Sequence, residues 1–345
     1  MTPSPLRKLA TLPLLLACMH AWARAEPCKA PPPAAIDIDA NSYYSDRNHS
    51  IVDPVLKARN VANTRPTNDF LDVVARAASV YHGAPRERSA EAQCALAWLS
   101  SWAAQGAMLG KMTTSQSYYQ RKWTLSGLAL SYAKLKPAAA KAERQQIEAW
   151  LTRLADATMA HSERPTGARN DRARNNHYYW EGLAVTAAGA VTGEARHLAW
   201  GRKVFDAAMA QVAADGSLPR EMERAVKALH YHLFAATPLV MMASILDVQS
   251  TRLDQLMQFT LKSAADPSYI ERKTGFVQER ADAAQGWTVI YARHTRGAGA
   301  AGAAVPGTAR NWQPRLGGDL WQVNPLEHVA GKAMPSDEAG ADKLF

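Results

Sequence analysis

From Ala95 onward, apolar residues in this chain recur at three- and four-residue intervals, and that spacing restricts the fold more than any other feature. Ala95, Trp98, Leu99, Trp102 and Gly106 share one helical face, and Leu125, Leu128, Tyr132 and Leu135 share another. Ile147, Trp150, Leu151, Leu154 and Thr158 repeat the pattern. Further helices are expected to begin near Tyr178, Ala195, Met222 and Thr251, with Gly83, Gly110, Gly193 and Gly216 as stops. Clear strand alternation is missing, and residues 287–292 are the one short candidate. Helix pairs joined by short turns, without a domain-sized linker, predict a single all-α domain over residues 26–345. Stacked antiparallel hairpins of this kind can close into an (α/α) toroid or incomplete barrel whose inner helix ends line a groove. Residues 40–50, ANSYYSDRNHS, read as a polar aromatic loop. Pro31-Pro32-Pro33 starts an extended arm, residues 297–307 form a small-residue loop, and the tail after Met334 frays.

Residues 1–25 have the pattern of a secretory signal peptide. Arg7 and Lys8 precede an apolar run over 9–18, and Ala23-Arg24-Ala25 puts small residues where a signal peptidase reads. Lipoprotein processing at Cys18, after Leu15-Leu16-Ala17, is the competing reading. Cleavage after Ala25 leaves Cys28 and Cys94, and an even count in an oxidising space predicts one disulfide rather than two free thiols. The expected location is the periplasm. At 47% apolar and 21% charged the composition excludes a disordered chain. Beyond the leader nothing approaches the ~20 uninterrupted apolar residues of a membrane span. The formal charge is +9, falling to about +6 when Arg7, Lys8 and Arg24 leave with the leader, which suits a polyanionic partner.

Two segments carry the chemistry. Arg174-Asn175-Asn176-His177-Tyr178-Tyr179-Trp180 follows a basic loop holding Arg164, Arg169, Arg172 and Arg174, and it opens an apolar helix. Asn at a helix start is the usual cap, so capping alone accounts for Asn175 or Asn176, and His177 by itself reads as a surface or satisfied histidine. The second segment, residues 218–234, holds Arg224 and Tyr231 seven apart. In one continuous helix that spacing falls about 20° short of two turns, with Cα atoms roughly 10 Å apart along the axis. Two long side chains on that face can bracket a sugar ring; a solvated Arg beside a core Tyr is the plainer alternative. Glu223 and Lys227 read as an i,i+4 surface pair.

Other constellations are weaker. His230 and His232 point to different helix faces, no three-ligand metal spacing occurs, and no phosphate loop or nucleophile elbow stands out. Glu221 and Glu223 splay apart and lack a partner for a glycosidase pair. Tyr118, Tyr119 and Trp123 lie off the Leu125 face, where they either stack on sugar or pack between helices.

At the two segments the sequence resembles a known family. Asn175-Asn176-His177-Tyr178-Tyr179-Trp180 is similar to the NNH(S/Y)YW signature of the family 5 polysaccharide lyases, the periplasmic alginate (polymannuronate) lyases. Arg224-Ala225-Val226-Lys227-Ala228-Leu229-His230-Tyr231-His232 resembles that family's R…(R/K)AL.YH stretch. The likeness continues through Cys94-Ala95-Leu96-Ala97-Trp98, residues 116–123, Asp215-Gly216-Ser217-Leu218-Pro219 and Arg315-Leu316-Gly317-Gly318, and so spans most of the chain after the leader. Members of the family fold as an incomplete α/α toroid.

The resemblance implies a cofactor-free, metal-free β-elimination on a polyuronate, by a chain expected to act as a monomer with no nucleic-acid or membrane partner. It assigns the catalytic positions to Asn176, His177, Arg224 and Tyr231. A uronate H5 is scarcely acidic beside an anionic carboxylate, so donors from Asn176 and Arg224, helped by His177, would quench that charge. For mannuronate H5 and O4 lie on one side of the ring, and Tyr231 alone could remove one proton and supply the other; on the opposite geometry His177 would be base and Tyr231 acid. Tyr43, Tyr44 and Arg47 are implied as a lid, and Asn175, Tyr119, Arg121, Trp123, Trp180 and Arg315 as substrate contacts. Tyr43-Tyr44 replaces the Lys-Tyr of many alginate-specific members, and Tyr178 replaces Ser. Both changes sit near substrate and leave polyglucuronate or hyaluronan open as substrates beside mannuronate-rich alginate. A glycoside hydrolase or a non-catalytic polyuronate-binding protein on the same toroid are the competing classes.

Overall fold

The computed structural model describes residues 28–164, 174–279, 286–296 and 311–329. The expected leader (residues 1–25) with Cys18, Arg169 and Arg172 of the basic loop, residues 297–307 and the tail after Met334 lie outside the described residues. Helices α1 (Pro54–Gly83), α2 (Ser89–Ala104), α3 (Ser115–Leu135), α4 (Lys141–Ser162), α5 (Asn176–Thr192) and α6 (Ala195–Gln211) come first. They are followed by the short α7 (Pro219–Met222), α8 (Ala228–Leu246), α9 (Thr251–Ala265), α10 (Ser268–Thr274) and α11 (Trp287–Arg296).

Successive inner helices α1, α3, α5, α8 and α11 pack side by side, and α2, α4, α6 and α9 lie against them outside. This is an α/α toroid. The inner helices α3, α5 and α8 are buried over most of their length; α5 and α8 are apolar on nearly every face, whereas α3 also buries Gln120, Arg121, Lys122 and Lys134. By composition Ala225–Leu246 is apolar enough to cross a membrane; instead most of it is buried at the centre of the fold. One contiguous core joins the helices. A small antiparallel hairpin of β1 (Trp312–Gln313) and β2 (Gly318–Asp319) closes one edge against α1 and α3.

The N-terminal arm is fastened along α2. Cys28 and Cys94 form the disulfide, with Cα atoms 5.4 Å apart. Two indole N–H groups hold the next residues, Trp98 donating to the Lys29 carbonyl at 2.8 Å and Trp102 to that of Pro32 at 3.0 Å.

Several expectations change. Residues 287–292 are the start of helix α11, not a strand: this run of β-branched and aromatic residues is buried on all sides against α8, and packing there overrides propensity. The helix expected near Met222 is interrupted. α7 ends at Met222, a 3-10 turn covers Ala225–Lys227 with Ala225 at φ +49°, and α8 begins only at Ala228. Gly193, at φ +80°, caps α5 as expected, and Gly83 ends α1. Gly110 and Gly216 instead sit in loops past the ends of α2 and α6. Helix α1 has no counterpart in the periodicity reading, because Pro66 and a polar middle obscure it; Asp53 starts it by accepting from the Val55 and Leu56 N–H groups.

Candidate active site

The N-terminal ends of α5 and α8 meet the 40–50 loop around a groove of about 840 Å³. Each wall has a local cause. Asn175 is the N-cap of α5, its side-chain oxygen accepting the His177 N–H at 3.0 Å, so capping and groove lining fall to one residue. Buried Lys122 of α3 donates to the His177 carbonyl at 2.7 Å and pairs with Glu181 at 3.1 Å, which pins the start of α5 to α3. Burial holds the Lys122 ammonium down at about 8, with Glu181 opposing that shift.

His177 lines the groove with its ring stacked on Tyr119, centroids 3.7 Å apart. Among the described residues its Nδ1 has no hydrogen-bond partner. Burial, then the charges of Lys122 and Arg224, keep the imidazole well below its usual range, so it is neutral at pH 7. Tyr231, in the first turn of α8, is 6% exposed and shares a 2.8 Å hydrogen bond with the Tyr44 hydroxyl from the loop. The Arg224 guanidinium carbon lies 3.4 Å from the centre of the Tyr231 ring. Burial raises the Tyr231 phenol, Arg224 pulls it back, and the net direction is upward.

The seven-residue spacing therefore acts differently from expectation. Because the 3-10 turn breaks the helix, Arg224 folds back over Tyr231 rather than bracketing a sugar with it. Its Nε and Nη2 donate to the Asn48 and His49 carbonyls at 2.9 and 3.1 Å, holding the loop down over the groove. The same break separates Glu223 from Lys227, which pairs with Glu279 instead.

The other expected contacts divide. Tyr43, Tyr44, Tyr119, Trp123, Asn175 and Arg315 line the groove, with the Arg315 guanidinium 4.2 Å from the Trp123 ring centre. Arg47 is exposed on the loop and outside the lining. Arg121 is turned away and donates to the Ala157 carbonyl at 2.8 Å; two residues beyond Tyr119, it lies about 200° around α3, facing α4. Tyr118 likewise stacks on His161 rather than facing substrate. Trp180 lines a neighbouring cavity of about 550 Å³ that shares Asn68, His230, Phe234 and Arg315 with the groove. Asn176 is fully buried outside the lining, and its NH2 donates to Glu221 at 3.1 and 3.0 Å while its backbone N–H donates at 2.8 Å. In this arrangement the expected donor to a uronate carboxylate is spent on another side chain.

Sequence reasoning missed His49 and His230 as lining residues. His230 directly precedes Tyr231 and could have been flagged by that neighbour; His49 follows only from the folding of the loop. His232 points into the core, between the Leu218 N–H and the Ala228 carbonyl.

The α/α toroid is the fold of solved alginate lyases, and the sequence comparisons place the chain among the polysaccharide lyases. The family model described as alginate lyase matches residues 37–269, and the chain belongs to that family. It is 40% identical over 331 residues to a polysaccharide lyase of Stenotrophomonas maltophilia (strain K279a), covering 92% of this chain and 95% of the relative. An alginate lyase of Pseudomonas fluorescens (strain Pf-5) is 30% identical over 308 residues, covering 80% of each. Among solved structures, alginate lyase A1-III from Sphingomonas species A1 superposes with a TM-score of 0.68 at 24% identity, covering 86% of this chain and 84% of that one. A variant of A1-III complexed with a tetrasaccharide gives 0.71 at 23%, covering 85% and 84%.

Proposed function

We propose that the protein cleaves 1,4-linked polyuronates by β-elimination, leaving a C4–C5 double bond on the new non-reducing end. The observation that carries this reading is the Tyr231 hydroxyl at the groove, under the Arg224 guanidinium and across from the neutral His177 ring. On mannuronate, the Tyr231 phenolate takes H5, the C5–H electrons form the C4=C5 bond, the C4–O4 bond breaks, and the phenol returns the proton to O4. Arg224 and His177, with Asn175 beside them in place of the engaged Asn176, stabilise the charge that gathers on the carboxylate. Tyr119, Trp123 and Arg315 support the flanking sugars. Where H5 and O4 lie on opposite faces, His177 is the base and Tyr231 the acid.

Export to the periplasm accords with the leader pattern over residues 1–25 and with the Cys28–Cys94 disulfide. The test is incubation with polymannuronate, polyguluronate, polyglucuronate and hyaluronan while ultraviolet absorbance is followed. Absorbance growing with chain cleavage supports elimination, and the substrate cleaved fastest identifies the preferred uronate. Reducing ends without absorbance would mean hydrolysis. Substrate binding with neither signal would mean a non-catalytic protein.

A further inference from the structure

At the end of α8 away from the groove, three side chains converge that the elimination does not use. Asp247 caps the C-terminus of α8, His294 lies in the last turns of α11, and His328 belongs to the C-terminal segment. One ligand-capable atom of each lies within 4.8 Å of the other two. Sixteen helical steps of about 1.5 Å put this cluster roughly 24 Å from Tyr231.

His294 is the informative member. It is 1% exposed, and its Nε2 meets the Val248 carbonyl at 3.0 Å. A carbonyl accepts only, so the proton sits on Nε2 and Nδ1 keeps a bare lone pair. Among the described residues that nitrogen has no hydrogen-bond partner. A neutral imidazole whose second nitrogen is fixed by a backbone carbonyl is how protein metal sites orient their histidines. The other two groups are already in contact, His328 Nδ1 lying 2.5 Å from Asp247 Oδ1, and each is more than a third exposed.

We propose that Asp247, His294 and His328 form a binding site for a divalent transition-metal ion, with zinc the best match to the donor set. Two imidazoles and one carboxylate leave a fourth position for water, and imidazole donors favour zinc over calcium or magnesium. A tetrahedral ion with bonds of about 2.1 Å sets its ligand atoms roughly 3.4 Å apart, so the Asp247–His328 pair would open to admit it. The ion would fasten the C-terminal segment, already held by the Glu327–Arg293 pair, to the ends of α8 and α11.

The test uses the tag-free full-length protein and zinc chloride as the probe. Calorimetry should give one micromolar site per chain, and zinc should raise the melting temperature until a chelator is added. Asp247→Asn and His328→Gln, both at partly exposed positions, should weaken zinc binding at least ~10-fold while leaving lyase activity unchanged. Cobalt substitution should produce a tetrahedral visible spectrum in the wild type that is lost in both variants. Absence of zinc binding below about 100 µM, where ΔG° of binding is weaker than that of micromolar sites, would overturn the proposal. So would binding that Asp247→Asn and His328→Gln leave intact, since other histidines would then hold the ion.

Discussion

The Arg224 guanidinium stacks on the face of Tyr231, 3.4 Å from its ring centre, while the Tyr231 edge carries the hydroxyl that faces the groove. Burial and this cation act on the phenol in opposite directions, and burial wins. A phenol above its usual value of ~10 is almost wholly protonated at neutral pH. If its phenolate is the base, kcat/KM on polymannuronate should climb with pH from 7 to 9, by up to about tenfold per unit. A flat profile over that range would assign the base to His177, which is already neutral there. Tyr231→Phe should abolish elimination on every substrate while leaving oligosaccharide binding within a few-fold.

The Tyr44 hydroxyl contributes a single bond to that centre. Its 2.8 Å contact links the loop directly to the Tyr231 phenol, the group proposed above to transfer the proton. Tyr44→Phe keeps the ring packing and removes one neutral hydrogen bond, a change of about 1 kcal/mol or roughly fivefold in kcat/KM. Arg224→Lys should cost more, because an ammonium cannot stack on Tyr231 while donating to both loop carbonyls. Steady-state kinetics of the two variants, ranked against wild type, check this order.

Two arginines expected at the groove should separate in the same assay. Arg315 lies over Trp123 in the lining, so Arg315→Ala should raise KM by about 10- to 100-fold, the range of a lost charge-assisted contact. Arg121 faces the Ala157 carbonyl beneath α4. Arg121→Ala should lower the melting temperature and leave KM unchanged; a matching KM rise would put Arg121 in contact with substrate.

The difference between these arginines marks what the sequence could and could not tell. The motif around Asn175 and His177 located one wall of the groove, and the Arg224–Tyr231 stretch located the other. Direction was harder to read. Arg121 sits two residues from Tyr119, and only the helical angle shows that it faces elsewhere. Arg224 looked helical because nothing in Arg-Ala-Val-Lys announces a break, yet Ala225 takes φ +49° there. Periodicity found α4 easily, since it buries one face. It also found the Leu125, Leu128, Tyr132 and Leu135 face of α3, but it blurred in α5 and α8, which are buried all round, and residues 287–292 read as a strand for the same reason. Asp247 and His328 are 81 positions apart, so no local spacing could announce their meeting.

The arm offers a test of stability away from the groove. The Cys28–Cys94 bond closes a loop with a separation of 66 residues. In the chain-entropy account such a loop is worth about 4 kcal/mol. Reduction, or the paired Cys28→Ala and Cys94→Ala substitutions, should lower the melting temperature by several degrees. The Trp98 and Trp102 indole bonds should keep the arm associated, so kcat at 25 °C should hold. A melting temperature insensitive to reductant would mean the arm adds nothing to the stability of the toroid.

Glu221 makes the stability of the folded chain depend on pH. Its carboxylate is fully buried and accepts the Asn176 backbone and side-chain N–H groups. Burial raises it from 4.5 to about 7, and the Asn176 bonds only partly offset this. Between those values the folded protein keeps a proton that the unfolded chain has released. The stabilising contribution is therefore complete below pH 4.5 and is lost as pH rises through 7, to a total of about 3 kcal/mol. Glu221→Gln removes the titration, and its amide can also donate to Asn176 Oδ1, which has no other partner among the described residues. The variant should thus melt above wild type at pH 8, with the gap shrinking toward pH 5. Parallel melting curves across that range would show that Glu221 stays ionised in the folded protein, and that its charge is balanced by a group other than Asn176.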